Sequence, residues 1–577
     1  MKDSNATYPK IIGQRFFVQR FLELLHRKTI DSHRLRVLNP LSSIEETLHV
    51  YEGLKSGTVK NEDTLLASVK ECADLLKKDD VLIYDSIEKK YVLDEALGKV
   101  KKDNLLESYL DIRYVLNSIL KENTDYCNLL FNKIKNCLFQ GLDSDPYPQL
   151  EKLDNLTGDL VTELIRLGFS KSYLFSYIRS MPSELSTEKF EAFFLGIMEM
   201  PNWQRKKYLV WFHILAPKSE RANWEKFKDW KVDLEIKTQI QHPSFGALKR
   251  SHIYLGTNVE ALDHYSALQV AKQNLNEILD IYQLAYHDQT VVIKDLALVI
   301  DEANPTGAKM QKVRFQQDGN FPTGDKVLSN LIEKLPIVIG HHDIAPETKE
   351  KIKSALRYLR YGIEAFELEH QLINYWIGLE YLFSNERDST FSRLKIIFPI
   401  LQALVYLPRN LADFHRIISN LPIKDWQFFK PEEMVCLQNE QTLEEIRDKV
   451  FEQWPLHSYR AWKILNRIVR ESKGIDKYLQ SHHKHLEWHL IRIYRVRNEI
   501  VHEAKHSFRN QTLSSNLRYY LAFSLSLILD YFSHHQNEAT NLEEYFSLQI
   551  IKYNHLKYEN FPPHKLLNLN YDFEMLT

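Results

Sequence analysis

The sequence predicts a mainly α-helical protein with an α/β N-terminal portion and a C-terminal helical bundle that carries a large insertion. Three observations support this. Only 17 Gly and 19 Pro punctuate 577 residues, too few for a sandwich of short strands joined by turns. Apolar residues recur at every third or fourth position through most of 346–577. Short runs rich in aromatic and β-branched residues gather before that stretch, with an amphipathic helix between them.

Residues 1–150 read as a mixed α/β module. "NEDTLLASVKECADLLKKDD" (61–80) has helical periodicity, acids in its first turn and lysines in its last, as the helix dipole favours. "DVLIYDS" and "KKYVLDEAL" pair as a hairpin after it, so the module is winged-helix-like. The Asp- and Pro-rich stretch "GLDSDPYPQLEKLD" (141–154) marks a boundary.

Residues 151–345 read as an α/β domain with a small mixed sheet. "TGDLVTELIRLGFSKSYLFSYI" (157–178) is helix, glycine break, helix. "FEAFFLGI", "KKYLVWFHIL", "WKVDLEI" and "TVVIKDLALVI" read as strands, and 258–284 as one amphipathic helix. "DEANPTGAKM" and "QQDGNFPTGDK" read as turn-rich loops.

Residues 346–577 form the helical domain. The run 347–385 reads as one long helix, with later breaks near Pro399, Pro408, Pro422 and Pro455. The apolar runs "IIFPILQALVYLP" and "YYLAFSLSLILDYF" are shorter than the ~20 residues of a membrane span, so they read as core helices and no membrane partner is expected. The N-terminus has no signal-peptide pattern, and Cys72, Cys127, Cys137 and Cys436 form no C-x-x-C pair. A reduced, cytoplasmic protein with buried thiols is expected.

Several motifs fail. "GLKSGT" (53–58) and "PTGAKM" (305–310) echo a phosphate loop without its spacing. "SHHKHLEWH" sets His485 and His489 one turn apart, but no further ligand pattern supports a metal, so no metal or cofactor is expected. The net charge of −2 requires any nucleic-acid contact to be a local patch.

One such patch exists in the sequence. Residues 455–520 hold 13 Lys and Arg against five Asp and Glu, with Tyr459, Trp462, Trp488 and Tyr494 among them. Within it lies "LEWHLIRIYRVRNEIVHEA" (486–504). As a helix with about 100° per residue, Leu486, Leu490, Ile493, Ile500 and Val501 share a face and Arg497 falls in its middle. Asn498 and His502 lie together just off its edge. A guanidinium so placed needs an anion, either a carboxylate such as that of Glu380 or a bound phosphate. The bland alternative is a structural ion pair at Arg497 beside a boundary histidine.

Arg497-Asn498-x-x-x-His502 resembles the R-N-x-x-x-H signature of the HEPN superfamily. With "YWIGLEYLFSNE" (375–386) before it and the apolar helix after it, the stretch 350–535 is similar to the ApeA-like HEPN domains of bacterial defence proteins. Residues 163–178 and 259–275 also look like upstream segments of such proteins. The resemblance implies a HEPN-like helical bundle, usually dimeric, with an insertion at about 386–485. It implies a metal-independent endoribonuclease in which Arg497 and His502 are catalytic and Asn498 orients or polarises. Arg492, Arg495, Lys505 and Tyr494 would then bind RNA, single-stranded or tRNA. The expected role is effector of an anti-phage (abortive infection) or toxin-like system, restrained by a regulatory partner or released by a phage trigger. A non-catalytic HEPN-like module for binding or dimerisation, within a nucleic-acid- or nucleotide-sensing complex, is the alternative. Position 504 is alanine where the subgroup paired with nucleotidyltransferases has tyrosine, which argues against that particular toxin pair.

Overall fold

The computed structural model describes residues 10–26, 37–82, 109–180, 187–216, 221–234, 252–285, 291–313, 325–385, 389–421, 440–503, 510–534 and 539–558, with isolated positions between them. The protein is mostly helical, with one five-stranded antiparallel sheet. Two compact units divide it: residues 1–159 together with 317–577, and residues 160–316. The three-part division expected from the sequence is thereby corrected. The N-terminal stretch is no separate module, and its described elements are helices. The expected hairpin at 80–97 falls largely outside the described residues.

The reason is shared burial. The helix Lys10–Leu25 sets Phe16 edge-on against Tyr459, ring centroids 5.4 Å apart, and Arg15 Nη1 donates to the Glu452 carbonyl at 2.8 Å. The helix Pro40–Ser56 starts in a capping box between Asn39 and Ser42 and ends on Gly57 in the left-handed region, φ 80°. That cap accounts for the glycines of "GLKSGT", whose Ser56 and Thr58 hydroxyls turn back to the Gly53 carbonyl. The helix Glu62–Lys78 begins on Asn61, whose Oδ1 accepts from the Asp63 N–H at 2.9 Å.

The run 347–385 is a helical hairpin rather than one helix: Pro346–Glu364 and Leu368–Phe383. Tyr358 stacks on Tyr381, and Gly362 lies under the Tyr375 ring, so close that a Cβ there would collide with it. Gly378 likewise gives Leu521 room, because a Cβ would sit 2.6 Å from its Cδ2. Trp376, Leu379, Leu490, Ile493, Leu517 and Leu521 are all sealed in the resulting core.

The expected insertion at 386–485 is instead part of the body. The helix Thr390–Ser419 places Leu394, Phe398 and Leu401 in that core. Its second half packs Leu404, Leu411 and Phe414 with Ile446, Leu465, Leu479 and Leu556 in another. Pro399 and Pro408 lie inside this helix and do not break it, Pro455 sits in the first turn of Pro455–Ile464, and Pro422 is outside the described residues. By length and composition the helix Thr390–Ser419 would cross a membrane, yet 67% of its apolar window is buried within the protein.

In residues 160–316 the strands β1 (Lys206–Leu215), β2 (Trp230–Asp233), β3 (Ile253–Ala261), β4 (Val292–Asp301) and β5 (Asn304–Lys312) follow the order β2-β3-β1-β4-β5. Every neighbouring pair is antiparallel, so the expected mixed sheet is corrected. "FEAFFLGI" belongs to the helix Thr187–Glu199, buried through Phe190, Phe194 and Ile197 at helical spacing. "NPTGAKM" is strand, not loop: a tight turn at Asp301–Asn304, with Asp301 Oδ1 accepting from the Ala303 N–H at 2.9 Å, sends β5 back along β4. Residues 258–261 complete β3, and the covering helix starts only at His264.

Candidate functional site

The motif helix, Gly474–Glu503, is 30 residues long and is buried on more than one side. Leu486, Leu490 and Ile493 enter the core on one side. Against another, the N-terminal helices bring acids. Arg492 Nε donates to Glu46 Oε1 at 2.8 Å and its Nη2 reaches Glu71. Arg495 lies 3.2 Å from the same Glu46 oxygen and 3.4 Å from Glu499. Burial opposes the charge of Arg492, but Glu46 and Glu71 more than offset it and hold the guanidinium above its usual range. Further along, Lys484 and His485 face Asp74 at 3.2 and 3.7 Å.

The cationic excess of 455–520 is largely neutralised the same way. Arg460 pairs with Glu23, Lys463 with Asp154, Arg467 with Glu151, and Arg470 with Glu440 and Glu444. These acids lie far away in sequence, which is why a local charge count reads the region as a patch.

The expected RNA contacts Arg492, Arg495 and Tyr494 are therefore corrected. Both arginines are buried in ion pairs, and Tyr494 is stacked on Phe391 with centroids 4.0 Å apart and against Trp376 at 5.5 Å. Trp462 stacks on Tyr147 in the same manner. Lys505 lies outside the described residues.

Arg497 is different. It is half-buried, its Nη1 donates to Asn498 Oδ1 at 3.0 Å, and its Nε is buried with no acceptor. Among the described residues no carboxylate pairs with it. The expected partner Glu380 instead accepts the indole N–H of Trp376, one turn back on its own helix, at 2.6 Å. One turn beyond Asn498, in the last turn of the helix, His502 is exposed. The signature residues thus come together as a guanidinium held by an amide, with an open imidazole beside them on the same helix. Such a set can bind an anion and move a proton next to it.

The histidine run has structural employment. His482 stacks on Tyr406 at 3.7 Å, and His489 Nδ1 lies 2.9 Å from the Tyr520 hydroxyl. Among the described residues no three His, Cys, Asp or Glu side chains gather as a metal site.

Glu46 and Glu71 were not singled out from the sequence. The usable signal is Glu46 itself, a carboxylate one turn before Val50 on the buried side of its helix. No protein-family model, curated protein or solved structure matches the chain.

Proposed function

We propose that the chain is a metal-independent endoribonuclease of the HEPN type, and that it serves as the effector of an anti-phage or toxin-like system. The single observation that carries this reading is Arg497. On a helix whose other described arginines, Arg492 and Arg495, are answered by carboxylates, this guanidinium has no carboxylate among the described residues, and its Nε is buried without an acceptor. A buried, charged donor without an acceptor is costly, and a phosphate oxygen satisfies it.

In the proposed reaction the 2′-oxygen of the substrate ribose attacks the adjacent phosphorus and the P–O5′ bond breaks. His502 takes the 2′-hydroxyl proton, and the leaving 5′-oxygen is protonated from solvent. Arg497 stabilises the negative charge on the pentavalent phosphorane, and Asn498 orients the guanidinium. The nucleophile confines the activity to RNA. The resemblance also implies a homodimer or higher oligomer.

The test is product analysis. Purified chain incubated with tRNA and mRNA in EDTA should yield fragments ending in 2′,3′-cyclic phosphate and 5′-hydroxyl, with DNA of the same sequence intact. Cleavage that needs a divalent metal, or that proceeds on DNA, contradicts the assignment.

A further inference from the structure

The helices Pro40–Ser56 and Glu62–Lys78 meet the motif helix mainly through charge. Among the described residues, Ala67 is the one side chain of this pair that joins the core around Trp376. What the pair brings instead is carboxylates. Glu46 accepts from Arg492 Nε at 2.8 Å and lies 3.2 Å from Arg495 Nη2, so one buried carboxylate bridges two buried guanidinium groups. Arg492 Nη2 donates to Glu71, and Asp74 faces both Lys484 and His485. A further contact reaches the motif itself. His49 lies 3.8 Å from Oε1 of Glu499, the residue after Asn498, and Arg495 lies 3.4 Å from the same oxygen. The two helices are tied to each other by the Thr47 and Ser68 hydroxyls, 3.2 Å apart.

Apolar burial is non-directional and fixes the rotation of a helix only loosely. Charge-assisted hydrogen bonds are directional. A buried ion pair adds little net stability over an apolar substitute of the same volume, and its best-attested use is to fix register. Here the anchors at Lys484 and Arg495 stand roughly 16 Å apart along the helix axis. Turning the helix by one residue, about 100°, would withdraw both from their acids. The anchored face also leads to the motif. Arg495, Glu499 and His502 are spaced four and three residues apart, so they share it. Where Glu46 holds Arg495 therefore sets where His502 projects, and Arg497, on the same rigid helix, turns with it.

We propose that Glu46, Glu71 and Asp74 are positioning residues: they fix the rotation of the motif helix, and docking of Pro40–Ser56 and Glu62–Lys78 keeps Arg497 and His502 aimed at one substrate. What is positioned rests on the ribonuclease reading, whereas the positioning itself does not.

The test exchanges charge for apolar volume in the full chain. Glu46→Met, Glu71→Met, Arg492→Leu and Arg495→Leu made together remove both sides of the buried cluster, and the fourfold variant should melt close to wild type. Hydrogen exchange at the amides of 495–503 should nevertheless quicken by about tenfold or more, with Leu368–Phe383 unchanged. RNA cleavage in EDTA should lose about tenfold or more in kcat with KM within about twofold, because aim rather than binding is lost. Glu46→Gln alone should give the same exchange and kinetic pattern. Wild-type exchange at 495–503 in the fourfold variant, exchange raised equally in both helices, or a melt lowered as far as that of Glu46→Ala overturns the positioning role, because the acids then serve stability alone. If wild type cleaves no RNA, the ribonuclease reading fails and the exchange pattern decides the positioning. If wild type cleaves RNA and the fourfold variant does so as fast, the positioning fails and the ribonuclease reading stands.

Discussion

Two stretches of one helix carry arginines into partly buried surroundings and end differently. At Arg492 and Arg495 the chain supplies Glu46, Glu71 and Glu499, and both side chains are buried among these partners. Half a turn later, at Arg497, it supplies an amide oxygen and, among the described residues, no carboxylate. The difference teaches that cationic sequence is not cationic surface. A run of basic residues becomes a binding site only where folding fails to bring it acids.

The strongest way to sharpen this comparison is to remove what both stretches stand on. Trp376 is fully buried, touches Tyr494 and Phe391, and holds Glu380. Trp376→Ala should lower unfolding free energy by about 3–5 kcal/mol, read by denaturant melts. Glu46→Ala should follow with a loss of about 3 kcal/mol, because it strips one partner from each of two buried guanidinium groups. Arg497→Ala should change stability by less than about 1 kcal/mol, because it breaks no ion pair and removes an unsatisfied donor. If Arg497→Ala proved more destabilising than Glu46→Ala, the contrast would be inverted and Arg497 would be a structural residue.

A pH profile probes the paired region separately. Burial, then the neighbouring charge of Arg460, pushes His457 down to about 4, so the imidazole is neutral in the fold. The unfolded chain takes up a proton near 6.5, so this term is fully present above that pH and is lost as pH falls toward 4. Wild type should lose on the order of 2 kcal/mol more than His457→Gln between those limits. Parallel profiles would show that His457 is not held neutral. Smallest of all, Lys477→Ala removes an exposed pair with Glu471 and should move the melt by no more than about 0.5 kcal/mol.

Much of the helical body was legible in the sequence, because caps and periodicity are local. Asn61 with its acidic first turn, the Gly168 break, and the strands β1, β2 and β4 could all be read from neighbouring residues. Long-range packing could not. The hairpin turn at Ala365–Glu367 has no Gly or Pro within it, and Pro399 stays within a helix because tertiary packing overrides its local preference. The strand β5 was missed because Asn304, Pro305 and Gly307 look like a loop when read without β4 beside them. At the candidate site the spacing of Arg497, Asn498 and His502 was visible. A helical wheel that assumes one buried face missed the acids arriving from Pro40–Ser56 and Glu62–Lys78, and so misread Arg492, Arg495 and Tyr494.

The measurement that bears most directly on the central claim is the rate of RNA cleavage in EDTA for wild type, Arg497→Ala, His502→Ala and Lys477→Ala, each confirmed folded by circular dichroism. Arg497→Ala and His502→Ala should each fall by about 100-fold or more, as expected for loss of transition-state charge stabilisation or of a general base, with Lys477→Ala unchanged. Undiminished cleavage by both motif variants, or no cleavage by the wild type, would contradict it.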